Sequence, residues 1–227
     1  MILQTAADVL QEQRSLLETW RAERDRPISG RVYYSSKRLF QDPQRIVMVG
    51  LNPGPGPLDR EIQDKEDRQQ EAWDSNSHYS SWLDDRYYGY QQGKHPNQLS
   101  VQSFFGGINK IDSTISMENA IRKTPYINLV PIRSPNFETL DRTTVDYFLP
   151  QSLNALFLLK PEIIICFGFK VQNILNISAS KQNIKFMHPL SILVNVGHFS
   201  TRGTLRRNTE WINNHFWPIA IKYYNKS

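Results

Sequence analysis

The chain has 227 residues, enough for one domain with a sizeable core, and its 39% hydrophobic and 22% charged content is that of a globular protein rather than a disordered one. Its apolar runs are too short to span a membrane, no basic-then-apolar signal peptide is read at its start, and a lone cysteine, Cys166, excludes an internal disulfide and any cysteine-ligated zinc or iron–sulfur centre. The formal charge of +5 suits a polyanionic partner as well as a merely solubilising surface. A soluble, cytoplasmic, monomeric protein is the expectation.

In chain order, Leu3, Ala6, Ala7, Val9, Leu10, Leu16, Leu17 and Trp20 recur at helical spacing, which predicts an amphipathic helix or helix pair over 3–26 that Pro27 ends. Ile46-Val47-Met48-Val49 is a short β-branched run emptying into Gly, Pro and Gly, the pattern of a buried parallel strand. Residues 55–103 break the rhythm: a charged segment precedes an aromatic one (Trp73, Tyr79, Trp82, Tyr87, Tyr88, Tyr90), with no clear strand. They are expected to form a largely helical insertion folded over the strand ends. Further strands are predicted over 126–130, 162–167 and 191–196, and helices over 117–123, 143–159 and 170–175. Asp141, Thr143 and Thr144 are the candidate caps of the second helix. From Thr204 onward a closing helix is expected, interrupted at Pro218. The alternation implies one α/β domain over 1–227, with a helical segment at 1–30 and helices on both faces of a central, mainly parallel four-stranded sheet.

Open parallel sheets bind ligands outside the carboxyl ends of their strands, so the polar residues there carry the information. Gly50-Leu51-Asn52-Pro53-Gly54 leaves the first strand. It could cradle an anionic oxygen on exposed amides, or it could simply make a turn. It lacks the ending of a P-loop and the spacing of a dinucleotide fingerprint. Asn128 interrupts an otherwise apolar strand, where an amide is costly unless paired; it could bond a neighbouring loop or read a flat base edge. His198 follows the last strand in Gly197-His198-Phe199-Ser200 and could act as an acid or an oxyanion donor. No carboxylate or second histidine stands at ligand spacing from it, so no metal is expected. His188 precedes that strand and belongs at the opposite edge. Ser200, Thr201, Arg202, Arg206 and Arg207 could grip phosphates or form a solvated helix start. Phe104-Phe105-Gly106-Gly107 is either core or a stacking platform. Asp84 and Asp85 are adjacent, so their side chains should diverge rather than act as a pair.

Taken in order, these pieces resemble the uracil-DNA glycosylase superfamily. Gly50-Leu51-Asn52-Pro53-Gly54 is similar to its first motif, in the Asn-Pro-Gly form of mismatch-specific and single-strand-selective members. Phe104-Phe105-Gly106 resembles its base-stacking segment. Tyr126 to Pro135, with Asn128 and Arg133-Ser134-Pro135, resembles the strand carrying its base-reading Asn. The segment from Pro161 to Leu175 looks like its strand-Gly-helix unit. Residues Gly197 to Asn208 resemble its final motif, although His198-Phe199-Ser200 stands where His-Pro-Ser is usual. The stretch between Gly54 and Phe104 is also longer than the family norm, and cluster-bearing branches are excluded for want of cysteines.

The resemblance implies hydrolysis of the N-glycosidic bond of uracil or a related deaminated base flipped out of DNA, without a cofactor. It implies that Asn52 holds the attacking water and His198 stabilises the departing base. Asn128 pairs with the base edge, Phe105 (or Phe104) stacks on its face, and Gly50 and the Leu51 backbone line the pocket. Pro53, Gly54, Ser200, Thr201, Arg202 and Arg206 meet the DNA, Arg202 entering the base stack. An Asn at position 52 cannot act as a general base, which predicts an enzyme slower by ~10²-fold than members with Asp there. Two other readings stay open: a catalytically silent member that binds nucleic acid or a nucleotide, and a small-metabolite α/β hydrolase or transferase using the Gly50 to Gly54 loop as an anion site.

Overall fold

The computed structural model describes residues 4–23, 30–53, 72–87, 89–134, 140–181, 192–195 and 210–224. Helix α1, Ala6–Ala22, starts at a capping box in which Thr5 and Asp8 satisfy each other's backbone N–H groups, and it buries Leu10, Leu17 and Trp20 along one stripe. It ends at Glu23, ahead of Pro27, which lies outside the described residues. Strand β1, Ile46–Gly50, follows. The described part of the insertion is helical as expected: a short helix α2, Ser81–Asp84, then α3, Pro96–Phe105, which begins with Pro96 behind a His95 cap. Helices α4, Ile108–Ile111, and α5, Met117–Arg122, lead into β2, Tyr126–Asn128. Helix α6, Arg142–Leu159, is capped by Asp141, whose carboxylate accepts from Thr144 N. It ends at Lys160 in the left-handed region, φ 48°, just before Pro161. Strand β3, Ile163–Cys166, helix α7, Phe169–Lys181, and strand β4, Ile192–Asn195, complete the alternation. A closing helix α8 spans Trp217–Tyr224.

The chain is thus α/β, with an open parallel sheet in the order β2-β1-β3-β4. The registers align Gly50 with Asn128, Val49 with Cys166 and Cys166 with Asn195, so all four strands finish on one edge. Both faces are covered. Val47, Val49, Ile127, Ile164 and Cys166 join a core with α1 and α6; Met48, Tyr126, Ile163 and Ile165 join another with α3, α5 and α8. Burial on two faces is why β1 and β3 read as unbroken apolar runs instead of alternating. Each buried Val or Ile contributes about 1.5–3 kcal/mol relative to exposure.

One expectation needs correction. Pro218 does not interrupt the closing helix. A π-helical turn, Ile212–Phe216, runs directly into α8, and Trp217 N donates to Ile212 O. The wider turn shifts the hydrogen-bond register immediately before the residue that has no N–H to give, so the chain stays helical through it. Among the described residues no helix is long and apolar enough to cross a membrane.

Candidate functional site at the carboxyl edge of the sheet

The exits of β1 and β2 run side by side beyond the sheet. Leu129 N donates to Gly50 O at 3.0 Å, Val130 N to Leu51 O at 2.9 Å, and Ser134 N to Pro53 O at 3.4 Å. Asn52 sits within this seam, half-buried. Its Nδ2 donates to Ser134 Oγ at 2.8 Å, to Pro53 O at 3.0 Å and to Ile132 O at 3.3 Å. The amide nitrogen is therefore committed to the loop, and Oδ1 makes no hydrogen bond among the described residues. The Asn52 amide therefore ties the turn, as one of the two readings of this motif expects.

Asn128 is 3% exposed, at the end of β2 directly opposite Gly50. Its backbone carbonyl accepts from Ser152 Oγ of α6 at 3.0 Å, and Ser152 Oγ in turn accepts from Gln13 Nε2 of α1 at 2.7 Å. Two helices thereby fix the strand end. Its side-chain Oδ1 accepts from the Tyr126 hydroxyl at 2.9 Å, whereas Nδ2 is buried with no partner among the described residues. Gly50 makes this possible: a β-carbon there would overlap the Tyr126 hydroxyl and lie 2.6 Å from Asn128 Oδ1. Tyr126 was missed on sequence, although a residue two before Asn128 on a strand must share its face.

Aromatic rings wall this cluster. Tyr34 and Trp82 each lie 4.9 Å from the Tyr126 ring and Phe167, just past β3, lies 6.0 Å away. Burial pushes the Tyr126 phenol well above its ordinary range, so it remains a donor. Cys166, at the end of β3, is also buried, and its thiol is pushed up to about 12, which removes it as a nucleophile.

A second polar cluster joins the insertion to the seam. Arg31 is fully buried; its backbone N–H donates to Pro131 O at 2.7 Å and its guanidinium pairs with Asp85 at 2.6 Å. Arg31 also donates to the Tyr87 hydroxyl at 2.8 Å and to the Tyr79 hydroxyl, which donates on to Asp85 Oδ1 at 2.9 Å. Burial opposes the charge on Arg31, but Asp85 and the surrounding tyrosines outweigh it and hold the guanidinium pKa well above its ordinary value. Asp84 meanwhile turns away to Arg122 at 2.8 Å, so the two adjacent acids diverge as expected. Nothing in the sequence pattern linked Arg31 to residues 79–87. That pairing is long-range.

Phe105 is placed differently from the stacking residue that the resemblance implies. It is fully buried, 5.2 Å from Phe104 and 5.5 Å from Trp217, and Gly107 admits the Trp217 indole, whose Nε1 would lie 2.6 Å from a β-carbon there. The Phe-Phe-Gly-Gly segment docks α8 on α3. Gly54, His188, His198, Ser200, Thr201, Arg202 and Arg206 lie outside the described residues. A cleft of about 410 Å³ opens at the opposite edge, beside Arg45, Ile46, Arg122 and Tyr223, and none of the expected site residues line it. Comparison of the chain with protein-family models and with curated proteins gives no match.

Proposed function

We propose that the protein is a DNA glycosylase that hydrolyses the N-glycosidic bond of uracil or a related deaminated base flipped out of DNA. The observation that carries this reading is the meeting of Asn52 and Asn128 at adjacent strand ends. Asn52 Oδ1 makes no hydrogen bond among the described residues, and Asn128 Nδ2, at the end of the neighbouring strand, is buried with no partner among them. A buried donor without a partner costs about 1–3 kcal/mol, and a ligand carbonyl would recover that. The strand order β2-β1-β3-β4 and the helices on both faces support a three-layer, four-stranded, uracil-DNA glycosylase-like reading of the fold.

In this reading Asn128 donates to the base and Asn52 Oδ1 accepts from a water facing the sugar. The water oxygen bonds to the anomeric carbon as the carbon–nitrogen bond breaks and the bonding electron pair leaves with the base; the proton that the water loses passes to solvent, and the base anion takes up a proton from solvent to leave as the neutral base. His198 would stabilise the charge gathering on the base oxygen, and Ser200, Thr201, Arg202 and Arg206 with Pro53 and Gly54 would hold the strand, consistent with a net charge of +5. Phe105 enters only as packing. DNA as partner, a cytoplasmic location, a monomeric state and the absence of a cofactor belong to the same proposal.

The test is a strand-cleavage assay on single-stranded and mismatched oligonucleotides carrying uracil, hypoxanthine or xanthine. Abasic product that is lost in both Asn52→Ala and His198→Ala supports the proposal. Tight DNA binding with no product would instead indicate a silent binder, and no DNA affinity at low salt a metabolite enzyme.

A further inference from the structure

We propose that the cleft at the amino edge of the sheet is a second binding site, one that takes a nucleoside monophosphate. It lies across the sheet from Asn52 and Asn128 and stands apart from the glycosylase reading. Its volume of about 410 Å³ falls within the range of small-ligand pockets. Five stretches of chain converge on it: the 3₁₀ turn Lys37–Phe40, the entry to β1, residues 77 and 78, helix α5 and the end of α8. The walls are held from within. All five N–H groups of Arg122 are spent on the carboxylates of Asp84 and Glu118 and on the His78 carbonyl, which ties the insertion to α5. The Tyr224 hydroxyl meets Thr124 Oγ1 at 2.6 Å and so fixes α8 beside the end of α5. Arg122 is therefore framework rather than a ligand contact.

The other cations of the cleft are Arg38, Arg45 and Lys123, and no acidic residue among the described residues lines it. Arg38 is exposed and joins no ion pair among the described residues. Arg45 has the Glu162 carboxylate at 3.7 Å, beyond hydrogen-bond length, so its guanidinium donors are not spent there. A cleft lined by one sign of charge over apolar walls concentrates the opposite ion. A phosphomonoester brings about two negative charges and oxygens that match the guanidinium fork. A bare phosphate would use only part of this space. Leu39, Ile46 and Tyr223 add apolar wall, with the Tyr223 ring centre 5.8 Å from the Arg45 guanidinium carbon. Aromatic and guanidinium faces side by side suit a flat ring. A phosphate joined to such a ring through a sugar uses both halves of the cleft.

Isothermal titration calorimetry on the full chain tests the site with the four ribonucleoside 5′-monophosphates, their nucleosides and inorganic phosphate. At least one monophosphate should bind at least about tenfold tighter than its nucleoside and than inorganic phosphate, the loss expected when a charge-assisted contact or a stacked ring is removed. Arg38→Gln/Arg45→Gln changes two exposed positions and should weaken that monophosphate at least about tenfold while cleavage of a uracil oligonucleotide is unchanged. Lys94→Gln/Arg142→Gln removes the same charge outside the cleft and should alter neither. Tyr223→Leu should bring the monophosphate toward the affinity of inorganic phosphate. Asn128→Ala should abolish cleavage and spare nucleotide binding. A 5′-phosphorylated trinucleotide carries the same phosphate and ring; equal affinity assigns the cleft to a strand end and weaker affinity to a free nucleotide, and either supports the site. The proposal is overturned if no monophosphate binds below about 1 mM or if nucleosides bind as well. It also falls if the Arg38/Arg45 or Tyr223 variant keeps full affinity, if the distant charge variant loses as much, or if Asn128→Ala loses the nucleotide. Nucleotide binding without cleavage leaves it standing and removes only the glycosylase reading; cleavage without nucleotide binding removes only this proposal.

Discussion

Asn52 reaches from the exit of β1 to the exit of β2, where its Nδ2 meets Ser134 Oγ at 2.8 Å; the same nitrogen also donates to the carbonyls of Pro53 and Ile132. Two backbone carbonyls and a hydroxyl facing one side-chain atom form an environment made for a donor. An aspartate would present a carboxylate to both carbonyls. Asn52→Asp is therefore expected to lose stability as pH rises through a folded pKa lifted above the ordinary ~3.9, because the folded state then holds the proton more tightly than the unfolded one. It should not gain the ~10²-fold speed that a general base could bring. Thermal melts from pH 3 to 8 with parallel cleavage rates check both parts, and an Asp variant that is faster and equally stable at neutral pH would refute the account. Ser134→Ala should cost about 0.5–1.5 kcal/mol, one net hydrogen bond.

Gly50 is confined by the Tyr126–Asn128 bond rather than by its own backbone. Gly50→Ala should destabilise by about 1–3 kcal/mol through overpacking, lowering the Tm by roughly 2–4 °C per kcal/mol. The Tyr126→Phe/Gly50→Ala double variant should lose less than the sum of the singles, since the phenylalanine removes the oxygen that the new methyl strikes. Strict additivity in calorimetry would mean that the two sites do not meet.

The Arg31–Asp85 pair is buried at both ends. Removing one partner leaves a charge without compensation, so Asp85→Ala should cost about 3–5 kcal/mol in urea unfolding, while Arg31→Met/Asp85→Leu should cost much less. If Asp85→Ala stays within about 1 kcal/mol of wild type, the pair is not what seats residues 79–87.

His95 caps α3 through Nδ1, which accepts from Asn97 N at 3.3 Å, and its partial burial holds the imidazole below the ordinary value of 6.5. Protonation converts that acceptor into a donor. A folded pKa below the unfolded one means that the cap's stability is complete above pH 6.5 and is lost as pH falls through the depressed value. An NMR titration of His95 with a midpoint below 6.5, accompanied by faster exchange of the Asn97 amide at acid pH, is the expected result; a midpoint at or above 6.5 contradicts it.

Much of the sheet was legible because local pattern decided it. Ile46 to Val49 and Ile163 to Cys166 are apolar on both faces and bounded by Gly or Pro, and they became β1 and β3 within a residue or so of expectation. Leu129 and Val130 were expected inside β2 but lie beyond it, still bonded to Gly50 O and Leu51 O; their ladder continues after the regular geometry stops. The site was legible only where a polar residue broke an apolar run, as Asn128 does. Tyr126, Ser152 and Arg31 were not. A tyrosine in a strand looks like core, a serine in a helix looks neutral, and an arginine near a proline looks exposed. Each gained its role from a partner distant in sequence. Phe105 shows the converse: a motif that suggests a ligand, answered by Trp217 from the far end of the chain.

The position of β1 between β2 and β3 bears on how the protein reaches this state. It precedes the other described strands in sequence, yet both of its edges are completed by strands made only after the insertion and α3 to α5. Until then Ile46-Val47-Met48-Val49 offers two rows of unpaired backbone groups on an uncharged segment, the kind of edge that recruits other chains. Folding should therefore wait on long-range closure rather than grow outward from the first helix. A nascent chain stopped before Ile163 should depend on chaperones to stay in solution, and truncation there should yield aggregate rather than a smaller stable domain.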